Sequence, residues 1–248
     1  MHLAMKQPCI GLLRLDSRFP RIEGDIAHPS AFRTVVLTKI INAATPQKVV
    51  HNQMDDLLEA FVAAAIELEE NGASLITTSC GFLALYQQIL QDAVACPVLS
   101  SALFSYAPLK QLLPANKNHI GILTISSTSL TDAHLKAANI PLSVPIEAPV
   151  ADGAFCTSIL GNTPSMDTDK ARDDIVTAAN KLVKANPQLN AIILECTNMP
   201  PHKAAIEAST GIPVFSLMDV LDDMACGASL DQSLANTISQ LTSDPSQS

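Results

Sequence analysis

The sequence lacks tryptophan and contains only nine glycines and two tyrosines among its 248 residues. It contains no G-x-G-x-x-G dinucleotide motif and no Walker A phosphate-binding loop. An H-E-x-x-H zinc motif and C-x-x-C pairs are also absent, and no lysine stands in a motif typical of a Schiff base. We therefore expect no nucleotide, metal or pyridoxal cofactor.

Positive charge and long apolar runs are scarce as well. Fifteen Lys and Arg face 24 Asp and Glu, which gives a formal net charge of −9. An acidic chain binds nucleic acid poorly, because phosphate neutralisation needs clustered cations. No run approaches the roughly 20 apolar residues of a membrane span, and Arg14 interrupts the apolar stretch 10–13, which does not fit a signal-peptide core. We expect a cytoplasmic protein with no nucleic-acid or membrane partner.

Short β-rich runs alternate with longer helical patterns, which is typical of parallel α/β sheets. The predicted strands are 10–15, 74–78, 98–99, 120–125 and 191–194. The predicted helices are 53–70 with Asn52 as its cap, 82–92, 169–185, 201–209 and about 219–226. Segment 17–46 has little periodicity, and we interpret it as a long loop beside a strand end, often an active-site lid.

The chain also repeats itself. Residues 10–17 match residues 120–127, and residues 72–100 match residues 188–216. Both halves of the second pair carry a cysteine, Cys80 or Cys196, then 16 intervening residues, then Pro-Val-x-Ser. We predict two similar Rossmann-like α/β domains related by a pseudo-two-fold axis, with the active site in the cleft between them. The first comprises 1–114 plus 217–248, and the second comprises 115–216.

Cys80 and Cys196 each follow a predicted strand and precede a predicted helix. Ligands of open α/β sheets bind beyond the carboxyl ends of the strands. A helix N-terminus there favours the thiolate and can also bind an oxyanion. Two thiols on opposite sides of one cleft suit removal of a proton from one face of a carbon and delivery to the other. The alternative is two buried cysteines left over from gene duplication.

Polar residues follow the first strand of each half. Asp16 and Ser17 end the first strand, and a Ser/Thr-rich segment, 124–128, ends its counterpart. Their side chains could hold a substrate carboxylate or ammonium, or they could be ordinary turn residues. Four of the five arginines lie within 14–33. This cationic segment could clamp an anionic substrate or cover the cleft, or it could be a solvated loop.

These motifs resemble the aspartate/glutamate racemase superfamily of cofactor-independent, two-cysteine enzymes. The segments that carry the resemblance are Thr-Thr-Ser-Cys-Gly at 77–81, Glu-Cys-Thr-Asn-Met-Pro at 195–200, Asp-Ser at 16–17 and the segment 124–128. The resemblance covers roughly residues 8–225 and implies two α/β domains, often in a homodimer. Two departures stand out: Gly81-Phe82 replaces the usual Asn-Thr, and Glu195 replaces the usual Gly.

The resemblance implies that Cys80 and Cys196 are the paired acid and base. It further implies a substrate-binding set around them. That set is Asp16, Ser17, Arg18, Thr78, Ser79, Gly81, Phe82, Thr124, Ser126, Ser127, Thr128, Thr197 and Asn198. The expected partner is a small anionic substrate, an amino acid or a dicarboxylate.

The leading functional hypothesis is a cofactor-independent racemase acting on aspartate, glutamate or a related acidic substrate. A maleate-type cis–trans isomerase stays open, whereas the two cysteines disfavour an arylmalonate-type decarboxylase, which keeps only one. A hypothesis of another class is a two-lobed binding protein without catalysis. Fast-reacting, substrate-protected thiols would favour an enzyme, and inert thiols would favour the binding protein.

Overall fold

The computed structural model describes residues 7–54 and 56–243, which form two parallel four-stranded sheets. The first sheet has the order β2-β1-β3-β4 and the second the order β6-β5-β7-β8. The strands are β1 (Cys9–Leu15), β2 (Val35–Ile41), β3 (Leu75–Thr78), β4 (Val98–Leu99), β5 (Ile120–Leu123), β6 (Ile146–Glu147), β7 (Ala191–Leu194) and β8 (Val214–Phe215). The strands of the two sheets follow the same order, so the two halves of the chain share one topology. This confirms the predicted pair of similar α/β domains. We call them the first and second lobe.

Helices connect the parallel strands, as such sheets require. They are α1 (Pro46–Val50), α2 (Leu58–Glu70), α3 (Gln87–Ala93), α4 (Tyr106–Leu112), α5 (Asp132–Ala137), α6 (Ala154–Leu160), α7 (Thr168–Ala185), α8 (Lys203–Thr210), α9 (Leu221–Ala225) and α10 (Leu230–Ser243). The longest, α7, begins where the Asp167 carboxylate accepts the Lys170 N–H at 3.1 Å. Its buried residues recur at helical spacing and pack towards the second sheet.

Several element boundaries differ from the sequence prediction. The predicted helix 53–70 begins only at Leu58, and Asn52 cannot cap it because its φ of 56° lies in the left-handed region. A separate short helix, α1, precedes it and is capped by Thr45. The predicted helix 82–92 is a 3₁₀ helix, Gly81–Tyr86, followed by α3. Segment 17–46 is not one loop, because β2 occupies its second half.

The last part of the described chain returns to the first lobe. Helix α9 contacts β1 and β3, and α10, which the sequence analysis did not predict, packs against α4. This packing agrees with assigning residues after 216 to the first domain, although residues 244–248 lie outside the described part and the domain limits stay a prediction. Within the described residues, no helix has the length and apolarity needed to cross a membrane.

Candidate active site

The two cysteines of the repeat occupy equivalent places in the fold. Cys80 lies two residues after β3, and Cys196 lies two residues after β7. β3 and β7 are inner strands of their sheets, so both cysteines stand at the carboxyl edge where parallel sheets bind ligands. The structure brings both residues to the wall of one cavity between the lobes, where each is more than nine-tenths buried.

The lobes touch through the residues that flank the cysteines. The Thr197 hydroxyl donates a 2.7 Å hydrogen bond to the main-chain carbonyl of Ser79. On the other side of the cavity, Gly81 lies against the main-chain carbonyl of Glu195. In each case the residue after one cysteine meets the carbonyl before the other, so the contacts follow the pseudo-two-fold relation of the lobes. A Cβ at position 81 would collide with both that carbonyl and the Glu195 carboxylate.

Glu195 fills the space that Gly81 leaves. Its side chain is fully buried, and the Thr124 hydroxyl donates to its Oε2 at 2.7 Å. The other carboxyl oxygen, Oε1, has no hydrogen-bond partner among the described residues. Burial raises the pKa of Glu195 from its ordinary 4.5 to about 7, because the charged form loses its hydration and only the Thr124 hydrogen bond opposes this. Near neutral pH the carboxyl is therefore poised between its two forms.

Both thiols are held in the neutral form in this environment. Burial raises the pKa of Cys80 and of Cys196, and the negative charge of Glu195 raises both further. The main-chain N–H groups of Phe82 and Asn198 lower these pKa values, as expected of groups at a turn or helix start. The prediction that this placement favours the thiolate is wrong, since the effect of burial on both pKa values outweighs that of the N–H groups.

A charged network crosses from the first lobe to the second. The Arg21 guanidinium donates to the Asp25 carboxylate at 2.9 Å and to the Ser17 hydroxyl at 2.7 Å. The Asn198 amide, within the motif that contains Cys196, donates to the same carboxylate at 2.7 Å. Arg21 also stacks on the Phe19 ring at 4.3 Å, and its buried Nε has no partner among the described residues. Arg21 attracts the Cys80 thiolate and so lowers the pKa of that thiol.

The cavity between the lobes is small and mostly apolar. Its free volume is about 20 Å³, which accommodates roughly one water molecule. Its polar lining comes from Arg21, Ser79, Glu195, Thr197 and Asn198, together with the two thiols. Its apolar lining is Leu15, Phe19, Pro46, Val50, Phe82, Ile125 and Ile159.

The predicted substrate-binding residues divide into those that line this cavity and those that do not. The lining ones are Ser79, Gly81, Phe82, Thr197 and Asn198. Thr124 stands behind Glu195 and holds its carboxyl. The predicted residues outside the lining are Asp16, Ser17, Arg18, Thr78, Ser126, Ser127 and Thr128.

Several of the residues outside the lining have other partners in the structure. The Thr78 hydroxyl lies 2.8 Å from the Ser100 carbonyl, and the Ser17 hydroxyl accepts from Arg21. The Ser126 hydroxyl donates to that of Ser129 at 2.9 Å. Roles for these residues in substrate binding stay a prediction.

Arg21, Phe19 and Asp25 were not among the predicted site residues, and Glu195 was noted without a role. The arginine cluster at 14–33 was the available signal for Arg21. Nothing in the local pattern shows that Asp25, four residues further on, bonds both Arg21 and the opposite lobe. Within residues 7–54 and 56–243, no group of three His, Cys, Asp or Glu side chains could hold a metal ion.

The fold and the two cysteines define a two-lobed α/β protein that places acid–base groups in a cavity between repeated halves. The family model described as Asp/Glu/Hydantoin racemase matches residues 26–225, and the chain belongs to this family. Solved structures share its fold. They include a glutamate racemase from Bacillus anthracis (16% identity, TM-score 0.57, 96% of this chain, 84% of that one) and arylmalonate decarboxylase (13%, 0.55, 96% and 94%).

Curated relatives of similar sequence carry a different name. A dimethylsulfoniopropionate lyase of Durusdinium sp. clade D is 27% identical over 85% of this chain and 72% of its own length. Dimethylsulfoniopropionate lyases 6 and 7 of Emiliania huxleyi (strain CCMP1516) are 28% and 29% identical over 90% and 86% of this chain. The match spans 60% and 65% of those two proteins. The family membership supports an enzyme, and the reaction is a separate question.

Proposed function

We propose that this chain is a lyase that cleaves dimethylsulfoniopropionate, or a close analogue, into dimethyl sulfide and acrylate. The composition of the cavity carries the proposal: two thiols, the unpaired Glu195 carboxyl, one basic side chain (Arg21) among the described lining residues, and apolar walls. The substrate bears one carboxylate and one dimethylsulfonium group, which match the single arginine, the carboxyl and the apolar surface. The names of the curated relatives support the same reaction class.

The reaction is an elimination in which atoms and electrons balance within the substrate. A cysteine thiolate removes a proton from the carbon next to the carboxylate, and the released electron pair forms the carbon–carbon double bond. The bond from the β-carbon to sulfur breaks, and its electrons leave with dimethyl sulfide. We assign Cys80 as the base because Arg21 attracts its thiolate. The base is the minor, ionised form of the thiol, and the thiol that the reaction produces returns its proton to water after the products leave.

Substrate binding follows from the polar lining. Arg21 lines the cavity and its buried Nε has no partner among the described residues, so we assign Arg21 to bind the substrate carboxylate. The Cys196 thiol, from the other lobe, can donate a hydrogen bond to the enolate-like oxygen that develops as the proton leaves. The neutral thiol that burial enforces at Cys196 suits that role.

A second candidate function is the racemisation of an amino acid, favoured by the presence of one thiol from each lobe. Without a leaving group on the β-carbon, Cys196 could return a proton to the opposite face. Acidic amino acids fit less well, because they bring two carboxylates to a lining with one described basic side chain.

The test uses the purified protein with dimethylsulfoniopropionate and, separately, with L- and D-amino acids and maleate in D₂O. We expect dimethyl sulfide in the headspace and acrylate in the proton NMR spectrum. Cys80→Ser should lower kcat by about 10³-fold, whereas Cys226→Ser, at an exposed cysteine, serves as the matched control and should keep full activity. Loss of an amino-acid α-proton signal without dimethyl sulfide would replace the lyase by the racemase. Full activity in Cys80→Ser would refute the assignment of the base.

A further inference from the structure

The least expected group in the cavity is an acidic side chain buried without a cation. Glu195 is fully buried, its Oε1 has no partner, and no ion pair to it exists among the described residues. Buried carboxylates in proteins are ordinarily paired or fully hydrogen-bonded, because an isolated charge in an apolar surrounding is costly. No cationic side chain among the described residues therefore neutralises the Glu195 carboxylate inside the cavity.

The neighbouring Arg21 does not form an ion pair with Glu195. The Arg21 guanidinium pairs with the Asp25 carboxylate at 2.9 Å, and both side chains are more than nine-tenths buried. Their charges balance, and Asp25 also accepts from Ala27 and Asn198. Once Glu195 is ionised, the cavity has an uncompensated negative charge, and an occupant carrying a positive charge would neutralise it.

The geometry points to Glu195 as the residue that selects a positively charged group, a sulfonium or quaternary ammonium, in the substrate of this cavity. This inference rests on the proposed function for the identity of the substrate and adds how the substrate is distinguished from neutral molecules of the same shape. Gly81 contributes to this selection, because any side chain at position 81 would displace the Glu195 carboxyl. The apolar walls, including Phe19 and Phe82, suit the methyl groups around such a cation.

Cation binding at Glu195 would also activate the thiols. The negative charge of Glu195 raises the pKa of both Cys80 and Cys196. A cation beside the carboxylate cancels this repulsion, so the base becomes easier to ionise only when the correct substrate is present. The substrate would thus supply the charge that its own deprotonation needs.

The test measures binding of two ligands that cannot eliminate dimethyl sulfide. One is 3-(trimethylammonio)propanoate, and the other is 4,4-dimethylpentanoate, its isostere in which an uncharged carbon replaces the cationic nitrogen and the carboxylate is kept. By isothermal titration calorimetry at about pH 8, we expect the wild type to bind the ammonium ligand at least about tenfold more tightly. Glu195→Gln should bring this ratio close to one. Glu147→Gln, the same change at the end of β6 outside the cavity, is the matched control and should preserve the ratio.

A ratio near one in the wild type, or a ratio unchanged in Glu195→Gln, would overturn the assignment and leave Glu195 a structural acid. If Glu195→Gln does not fold, Glu195→Asp, which keeps the charge but shortens the side chain, should lower the ratio without abolishing it. Selective binding without release of dimethyl sulfide from dimethylsulfoniopropionate would refute the lyase and retain the role of Glu195. Release of dimethyl sulfide together with a binding ratio near one would retain the lyase and refute the role of Glu195.

Discussion

Replacing Glu195 by glutamine should change how the stability of the protein, measured without added substrate, depends on pH. The pKa of this carboxyl is about 7 in the folded protein, against an ordinary value of 4.5 in the unfolded chain. Between these two values the unfolded chain has released the proton while the folded protein still holds it. Raising the pH therefore favours the unfolded state over this interval, and the loss of stability is complete once the pH exceeds the folded pKa.

The size of the effect follows from the same two values. Each pKa unit corresponds to about 1.4 kcal/mol, so the rise from 4.5 to about 7 costs the wild type about 3 kcal/mol of unfolding free energy between about pH 4 and pH 8. Glutamine does not titrate, so the variant escapes this loss. Cys80 and Cys196 stay protonated throughout the range, because the pKa of each is raised by burial.

The assay is urea unfolding followed by circular dichroism at several pH values from about 4 to about 8. The informative quantity is the stability of Glu195→Gln minus that of the wild type at each pH, since contributions of other titrating groups largely cancel in it. This difference should increase by about 3 kcal/mol from acid to alkaline pH. A difference that stays constant, or that falls as the pH rises, would show that Glu195 is ionised at ordinary pH in the folded protein and would refute the reasoning.

Two further substitutions test the architecture around the cavity. Gly81→Ala would force a Cβ against the carbonyl and carboxylate of Glu195. We therefore expect the free energy of unfolding, measured in urea, to fall by about 1–3 kcal/mol, and kcat to fall as well. Unchanged stability would contradict the close approach of the lobes. Asp25→Asn would leave Arg21 without its ionic partner and weaken the bond to Asn198, so KM for a carboxylate substrate should rise about tenfold with a smaller change in kcat. Steady-state kinetics checks this, and an unchanged KM would show that Arg21 does not depend on Asp25 for its position.

The sequence was sufficient to predict the repeated α/β fold and the position of the two cysteines. Strands buried on both faces give continuous apolar runs, as at Ala191–Leu194, where the predicted and observed strand coincide. The edge strand β2 was missed because it is partly exposed and mixes Thr38 and Lys39 with its β-branched residues. Helix α10 was missed although Leu230, Leu234, Ile238 and Leu241 recur at helical spacing, a signal that the sequence analysis did not use.

The candidate site was predictable only as far as local motifs reach. The residues flanking each cysteine were identified, and most of them line the cavity. The hydrogen bond from the Asn198 amide to the Asp25 carboxylate depends on how the two lobes meet, because these residues are 173 positions apart along the chain. The lack of a partner for Glu195 Oε1 is likewise a property of the assembled cavity. Such features arise from tertiary packing and have no signature at short range in the sequence.

The departures from symmetry between the lobes bear on the direction of the chemistry. In the repeat, Glu195 corresponds to Ser79 and Gly81 corresponds to Thr197, because each pair stands next to one of the two cysteines. On one side of the cavity a hydroxyl, from Thr197, closes the contact between the lobes. On the other side a buried acid occupies the space beside a glycine. The electrostatic surroundings of the two thiols therefore differ. Arg21 lowers the pKa of Cys80, whereas it is not among the groups that shift the pKa of Cys196.

Racemisation in both directions requires each thiol to act as base for one hand of the substrate and as acid for the other. Elimination requires only one base, together with an environment that distinguishes the end of the substrate that loses a proton from the end that loses its leaving group. Under the proposed elimination, an acid on one side and an arginine near one thiol would provide that distinction, since the first would attract the onium end and the second would attract the carboxylate. Gly81 and Glu195 differ from their counterparts in the other lobe, Thr197 and Ser79. This difference supports the proposed elimination of an onium group over racemisation.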